Sequence, residues 1–136
     1  MFQTVLFPID TSPEARHAVE TVVELVKYHQ SRLVLLSVVE AAVPDSRPAH
    51  PEQTSPEVVA QLLEQAKAGF IKQGIAAEAL ERQGKPAFVI CDVADEVAAD
   101  LIVMGCRGIG LTEEGQLDSV SNRVINLAPC PVLVVP

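Results

Sequence analysis

Arg32-Leu33-Val34-Leu35-Leu36-Ser37-Val38-Val39 is the stretch on which the fold turns. Its apolar residues follow one another without the polar alternation of a half-exposed strand. Both faces must therefore be covered, which is the condition of a strand inside a parallel sheet. A parallel neighbour requires a crossover connection, usually helical, and the sequence supplies one on either side. Upstream, Thr4-Val5-Leu6-Phe7-Pro8-Ile9 reads as a strand that stops at Asp10-Thr11-Ser12-Pro13. Ser12 suits a helix cap and Pro13 the first helical position. Ala15, Ala18, Val19, Val22, Val23 and Val26 then recur at helical spacing up to about His29. Downstream, Ser55-Pro56 repeats the cap-then-proline start, and a helix runs through about Gln73 to a left-handed stop at Gly74.

The remaining segments continue the alternation. Ile75 to Arg82 is a weaker, edge-like strand, and Gly84-Lys85-Pro86 opens a third helix with Phe88, Val89, Ile90, Val93, Ala94 and Val97 apolar and its charged residues toward solvent. Leu101-Ile102-Val103-Met104 forms a short strand ending at Gly105. A loop follows from Cys106 to about Leu117, then a helix from near Ser119 to Leu127, and Pro129-Cys130-Pro131 launches a last strand, Val132 to Val135. The order βαβαβαβαβ predicts one domain over residues 1–136. Its fold class is α/β, an open five-stranded parallel sheet of order 3-2-1-4-5 with helices on both faces, Rossmann-like. Ligands of such sheets bind past the carboxyl ends of the strands where strand order reverses, here between the first and fourth strands, which brings Asp10 and Gly105 together. Pro44, Asp45, Pro48 and Pro51 lie in a stretch from Glu40 to Thr54 that reads as a long mobile loop.

Composition narrows the function. The chain has 136 residues and is 49% hydrophobic but only 4% aromatic, so the core is built from aliphatic side chains. A formal charge of −8 repels phosphate backbones and anionic lipid at long range, which argues against nucleic-acid and membrane partners. Met1-Phe2-Gln3 leads straight into a strand with no basic segment or cleavage site, and no apolar run is long enough to span a bilayer. A cytoplasmic protein is expected. Cys91, Cys106 and Cys130 match neither a redox pair nor a zinc site, and they read as small hydrophobes. His17, His29 and His50 do not suggest a converging catalytic set, so an enzyme is the least supported reading, with no catalytic residue assigned.

The chain lacks a GxxxxGK[ST] loop, and no GxGxxG opens its first helix. It has Gly105-Cys106-Arg107-Gly108, then Ile109 through Leu117, then Asp118-Ser119 before a helix. Glycines there permit close backbone approach to a ligand, and amides at a helix start attract anions. This segment resembles the nucleotide loop of universal stress proteins, G-x2-G-x9-G-[ST]. The resemblance extends through Pro8-Ile9-Asp10-Thr11-Ser12, Leu35-Leu36-Ser37-Val38, Gly84-Lys85-Pro86 and the closing Ala128-Pro129-Cys130-Pro131-Val132-Leu133-Val134-Val135. It implies an adenine-nucleotide-binding fold that is usually homodimeric through its last strand, Val132 to Val135. It also implies that Pro8, Asp10 and Val38 surround adenine and ribose, that Met104, Gly105, Arg107 and Gly108 follow the phosphates, and that Ser119 and Val120 close the site. The implied cofactor is an adenine nucleotide, ATP or AMP, with or without bridging Mg. Read from the residues alone, Asp10 serves equally as part of the helix-start cap, and Arg107 equally as a solvated loop residue.

Asp118 departs from that pattern, standing where the ATP-binding loop has glycine. Aspartate caps a helix N-terminus by accepting from the amides a phosphate would use. At ~5 Å, one carboxylate–phosphate charge pair costs roughly 3 kcal/mol at an effective dielectric of 20 and under about 1 kcal/mol in water. A bare triphosphate is therefore expected to bind poorly, with AMP, adenosine or a metal-bridged nucleotide better accommodated. Two functions follow: a regulatory module that binds an adenine nucleotide in the stress response, and a dimeric interaction protein that has lost nucleotide binding. Slow ATP hydrolysis with Asp10 or Asp118 holding a metal is the residual enzymatic alternative.

Overall fold

The computed structural model describes residues 2–10, 13–40, 55–105 and 120–136. Nine elements follow in the alternation expected: β1 (Thr4–Pro8), α1 (Pro13–His29), β2 (Arg32–Glu40), α2 (Pro56–Lys72), β3 (Ala77–Gly84), α3 (Pro86–Glu96), β4 (Leu101–Gly105), α4 (Val120–Leu127) and β5 (Val132–Val135). Glu40, placed by the sequence at the start of a loop, is the last residue of β2. The rest of that loop, 41–54, and the expected Ser12 cap lie outside the described residues. At α2 the cap is as read: Ser55 Oγ accepts from the Val58 amide at 3.4 Å, and Pro56 opens the helix. α3 also opens on proline, but its N-cap, Lys85, makes no side-chain capping bond.

All four strand pairings are parallel, and the strand order is β3-β2-β1-β4-β5. β1 pairs with β2 along its whole length, from Thr4↔Arg32 to Pro8↔Leu36. Its pairing with β4 is much shorter and comprises Val5↔Leu101 and Leu6↔Ile102. At the amino end of this sheet Asp100 ties the two central strands: its Oδ2 accepts from the amides of Gln3 at 2.6 Å and Thr4 at 3.2 Å, while its own amide donates to the Thr4 carbonyl at 2.8 Å. Arg32 forks onto Glu78 across β2 and β3, and this guanidinium holds the Glu78 carboxyl below its usual range.

Alternation along the strands sends one set of side chains to each face. Val5, Phe7, Leu33, Leu35, Leu101 and Val103 join Ala18, Val22 and Val26 of α1 and Val59, Leu63 and Phe70 of α2. Leu6, Val34, Leu36, Val38, Ile102 and Met104 join Ala87, Ile90, Val93 and Ala94 of α3 and Val124 of α4. β2 is buried on both faces from Leu33 to Val39, as its unbroken apolar run requires.

Two details differ from the sequence reading. Phe88 does not belong to the buried face of α3 and stands 49% exposed, because it lies about 100° around the helix from Ala87, which is buried. β5, whose unbroken apolar run reads as a buried strand, has Leu133 37% exposed and its neighbours half-buried, since among the described residues it pairs with β4 alone. Among the described residues no helix is long and apolar enough to cross a membrane.

Candidate functional site

The site is made by the parting of β1 and β4. Their pairing stops at Leu6↔Ile102, yet β1 continues to Pro8 and β4 to Gly105. Above the last pair the two strands belong to different ladders, β1 to β2 as far as Leu36 and β4 to β5 as far as Val135. A crevice therefore opens at their carboxyl ends, at the point where strand order reverses and open α/β sheets bind ligands.

The chain brings several of the expected residues to this end. Pro8 closes β1 and is half-buried, and Asp10 follows two residues later, also half-buried. On the far side Met104 is 7% exposed and Gly105 ends β4, half-buried. Val38 lies on β2, two residues past the partner of Pro8, and is packed in the same apolar cluster as Met104. Val120 opens α4 and is exposed. Arg107, Gly108, Asp118 and Ser119 lie outside the described residues. No group of three His, Cys, Asp or Glu that could hold a metal occurs among the described residues. His29 sits at the opposite end of the molecule, at the C-terminus of α1, with its ring edge-on to Phe2 and Tyr28 at centroid distances of 5.2 and 4.9 Å.

Two features were not read from the sequence. A cleft of about 530 Å³ lies between α1 and α2, lined by Phe7, Ile9, Leu62 and Phe70, with Asp10 and Arg16 also on its wall. Asp10 thus borders this cleft. The second feature is Ser37, the buried polar side chain among the described residues, 1% exposed on a strand whose other interior side chains are apolar. Its Oγ donates to the Ile9 carbonyl at 2.9 Å. A hydroxyl interrupting Leu33 to Val39 was the available signal, but nothing local to that strand names its partner.

The chemistry available at the crevice suits the nucleoside half of a nucleotide. An acid capable of accepting from sugar hydroxyls stands at the end of β1, backbone at Gly105 carries no side chain, and Val38 and Met104 provide apolar packing beneath.

These features define an open, doubly wound α/β protein whose first and fourth strands part before their carboxyl ends, and the chain belongs to the universal stress protein family, whose model matches residues 1–136. It is 62% identical to Universal stress protein Sll1654 of Synechocystis sp. over 136 residues, covering all of this chain and 87% of that one. It is 35% identical to Universal stress protein YxiE of Bacillus subtilis over 147 residues, covering 99% of each. Among solved structures, a universal stress protein in complex with cAMP superposes with a TM-score of 0.79 at 26% identity, covering 99% of this chain and 97% of that one.

Proposed function

We propose that this protein binds an adenine nucleotide in the crevice between β1 and β4 and acts as a nucleotide-responsive module in the stress response. The observation that carries this reading is the early end of the β1–β4 pairing at Leu6↔Ile102, while β1 runs on to Pro8 and β4 to Gly105, at the switch point of the sheet. The cAMP complex of a relative sharing the whole fold supports the same ligand class. Pro8, Asp10 and Val38 serve the base and ribose, and Met104 and Gly105 the first phosphate. Arg107, Gly108, Asp118, Ser119 and Val120 extend the site along the remaining phosphates. In this reading a nucleotide with few phosphates is preferred, because Asp118 puts a carboxylate in the sequence position where the family's nucleotide loop has glycine, and Mg enters as a bridge between that acid and a polyphosphate.

The test is calorimetry with AMP, ADP and ATP, with and without magnesium, on the wild type and Asp118→Gly. Expected are AMP binding ahead of metal-free ATP, and a gain of about tenfold or more in metal-free ATP affinity on Asp118→Gly, the size of one relieved charge repulsion. Submicromolar binding of ATP to the wild type without a divalent ion would overturn the preference. Asp118 also favours a second reading, a dimeric interaction protein without nucleotide. It is selected if no nucleotide binds and none is released from freshly purified, denatured protein. In either reading we infer a cytoplasmic homodimer joined along β5, whose outer edge and exposed Leu133 are open to a second copy.

A further inference from the structure

Ile9 is the residue between the end of β1 and Asp10, and both of its backbone polar groups are held by β2. Its amide donates to the Leu36 carbonyl at 2.8 Å, and its carbonyl accepts from Ser37 Oγ at 2.9 Å. The first bond prolongs the β1–β2 ladder by one step beyond Pro8↔Leu36. The second comes from a side chain buried to 1% exposure on the same face of β2 as the buried Leu33, Leu35 and Val39, where an alanine or valine would suit an apolar interior. Packing alone therefore gives no reason for a hydroxyl at this position. What the hydroxyl adds is a fixed direction for the Ile9 carbonyl.

That direction has a consequence one residue on. The peptide joining Ile9 to Asp10 is planar, so holding the Ile9 oxygen also sets the Asp10 amide and Cα. Asp10 begins the short link to α1, whose first residue is Pro13. A carboxylate there acts on a ligand only if its backbone is stationary, because a shift of about 1 Å is enough to lose an aligned hydrogen bond. We propose that Ser37 is the positioning residue of the crevice, its hydroxyl clamping the Ile9–Asp10 peptide so that Asp10 is presented to the ribose of the bound nucleotide. This rests on the nucleotide reading above.

Ser37→Ala, Ser37→Thr and Asp100→Asn separate positioning from stability, with AMP as the probe. Three readouts are taken: AMP affinity by calorimetry, the amide shift and exchange protection of Asp10 by NMR, and the thermal midpoint. Ser37→Ala is expected to fold, to move the Asp10 amide signal and lower its protection, and to weaken AMP by about tenfold, as for one lost hydrogen bond at a ligand site. Ser37→Thr keeps the donor and is expected to restore AMP affinity to within about threefold of the wild type. Asp100→Asn, at the other end of β1, lowers the midpoint and leaves AMP affinity unchanged, showing that lost stability alone does not weaken the site. Ser37→Ala with AMP affinity within about twofold of the wild type and an unmoved Asp10 amide overturns the proposal. If the wild type binds no AMP, the nucleotide reading fails, and the Asp10 amide alone decides whether Ser37 positions that residue. Should Ser37→Ala not fold, Ser37→Cys, similar in size but a weak donor, is judged by the same readouts.

Discussion

Cys91 on α3 and Cys130 before β5 pack half-buried against the same apolar cluster, and both thiols are held above the usual 9.0. Burial is the main cause at each; Asp92 adds to it at Cys91, and Asp100 and Cys91 add to it at Cys130. The folded chain therefore keeps these protons to higher pH than the unfolded chain does. The stability they contribute is complete below 9.0 and is lost as pH rises through the folded values. At pH 7 both should alkylate more slowly than the same cysteines in the urea-unfolded chain, and the unfolding midpoint should fall as the buffer passes from pH 8 to pH 10. Alkylation of either at equal rates in folded and unfolded protein, read by peptide mapping, would contradict this. Their role as small hydrophobes was legible in the sequence from their positions in a helix and before a strand. The position of Asp10 just past the end of the first strand was legible too, because a polar residue ending an apolar strand is a local signal. The bond made by Ser37 was not, because its partner lies just past the end of another strand, which spacing along one element does not identify.

α1, α2 and α3 end in one way, and the sequence announces only one of the three. At each end an amide reaches back five residues to a carbonyl of the last turn: Ser31 to Val26 at 3.0 Å, Ile75 to Phe70 at 2.9 Å and Ala99 to Ala94 at 2.8 Å. The residue before each donor has positive φ, with Gln30 at 53°, Gly74 at 81° and Ala98 at 55°. Glycine adopts this conformation without penalty, whereas a residue with Cβ is strained by about 1 kcal/mol. Ala98→Gly is accordingly expected to stabilise the fold by about 1 kcal/mol and Gly74→Ala to destabilise it by a similar amount, read as shifts of the urea midpoint at constant m. A loss of stability on Ala98→Gly would show that the cap is not strained. Helix starts were easier to read, since Ser55-Pro56 and Pro86 mark them with residues whose conformational limits are local.

On the scale of the molecule, β5 and β3 form the two edges of the sheet among the described residues. β3 carries Glu78, Glu81 and Arg82, charges of the kind that discourage edge pairing, while β5 is Val-Leu-Val-Val. In the proposed homodimer this asymmetry favours pairing along β5 over pairing along β3. Light scattering at micromolar concentration is expected to give twice the 14.6 kDa chain mass, and Leu133→Lys to shift the population toward monomer while the far-ultraviolet dichroism is retained. A wild-type monomer at that concentration would exclude the pairing. The sequence by itself determined the order of elements and the two-sided burial of β2, because hydrophobic period and caps are set by near neighbours; the strand order it led one to expect is the one observed. Only the tertiary structure decided where β1 leaves β4, that Asp10 borders a cleft between α1 and α2, and that Ser37 reaches Ile9, 28 positions away. Those outcomes depend on register and packing between segments distant in the chain, and no periodicity within a single segment encodes them.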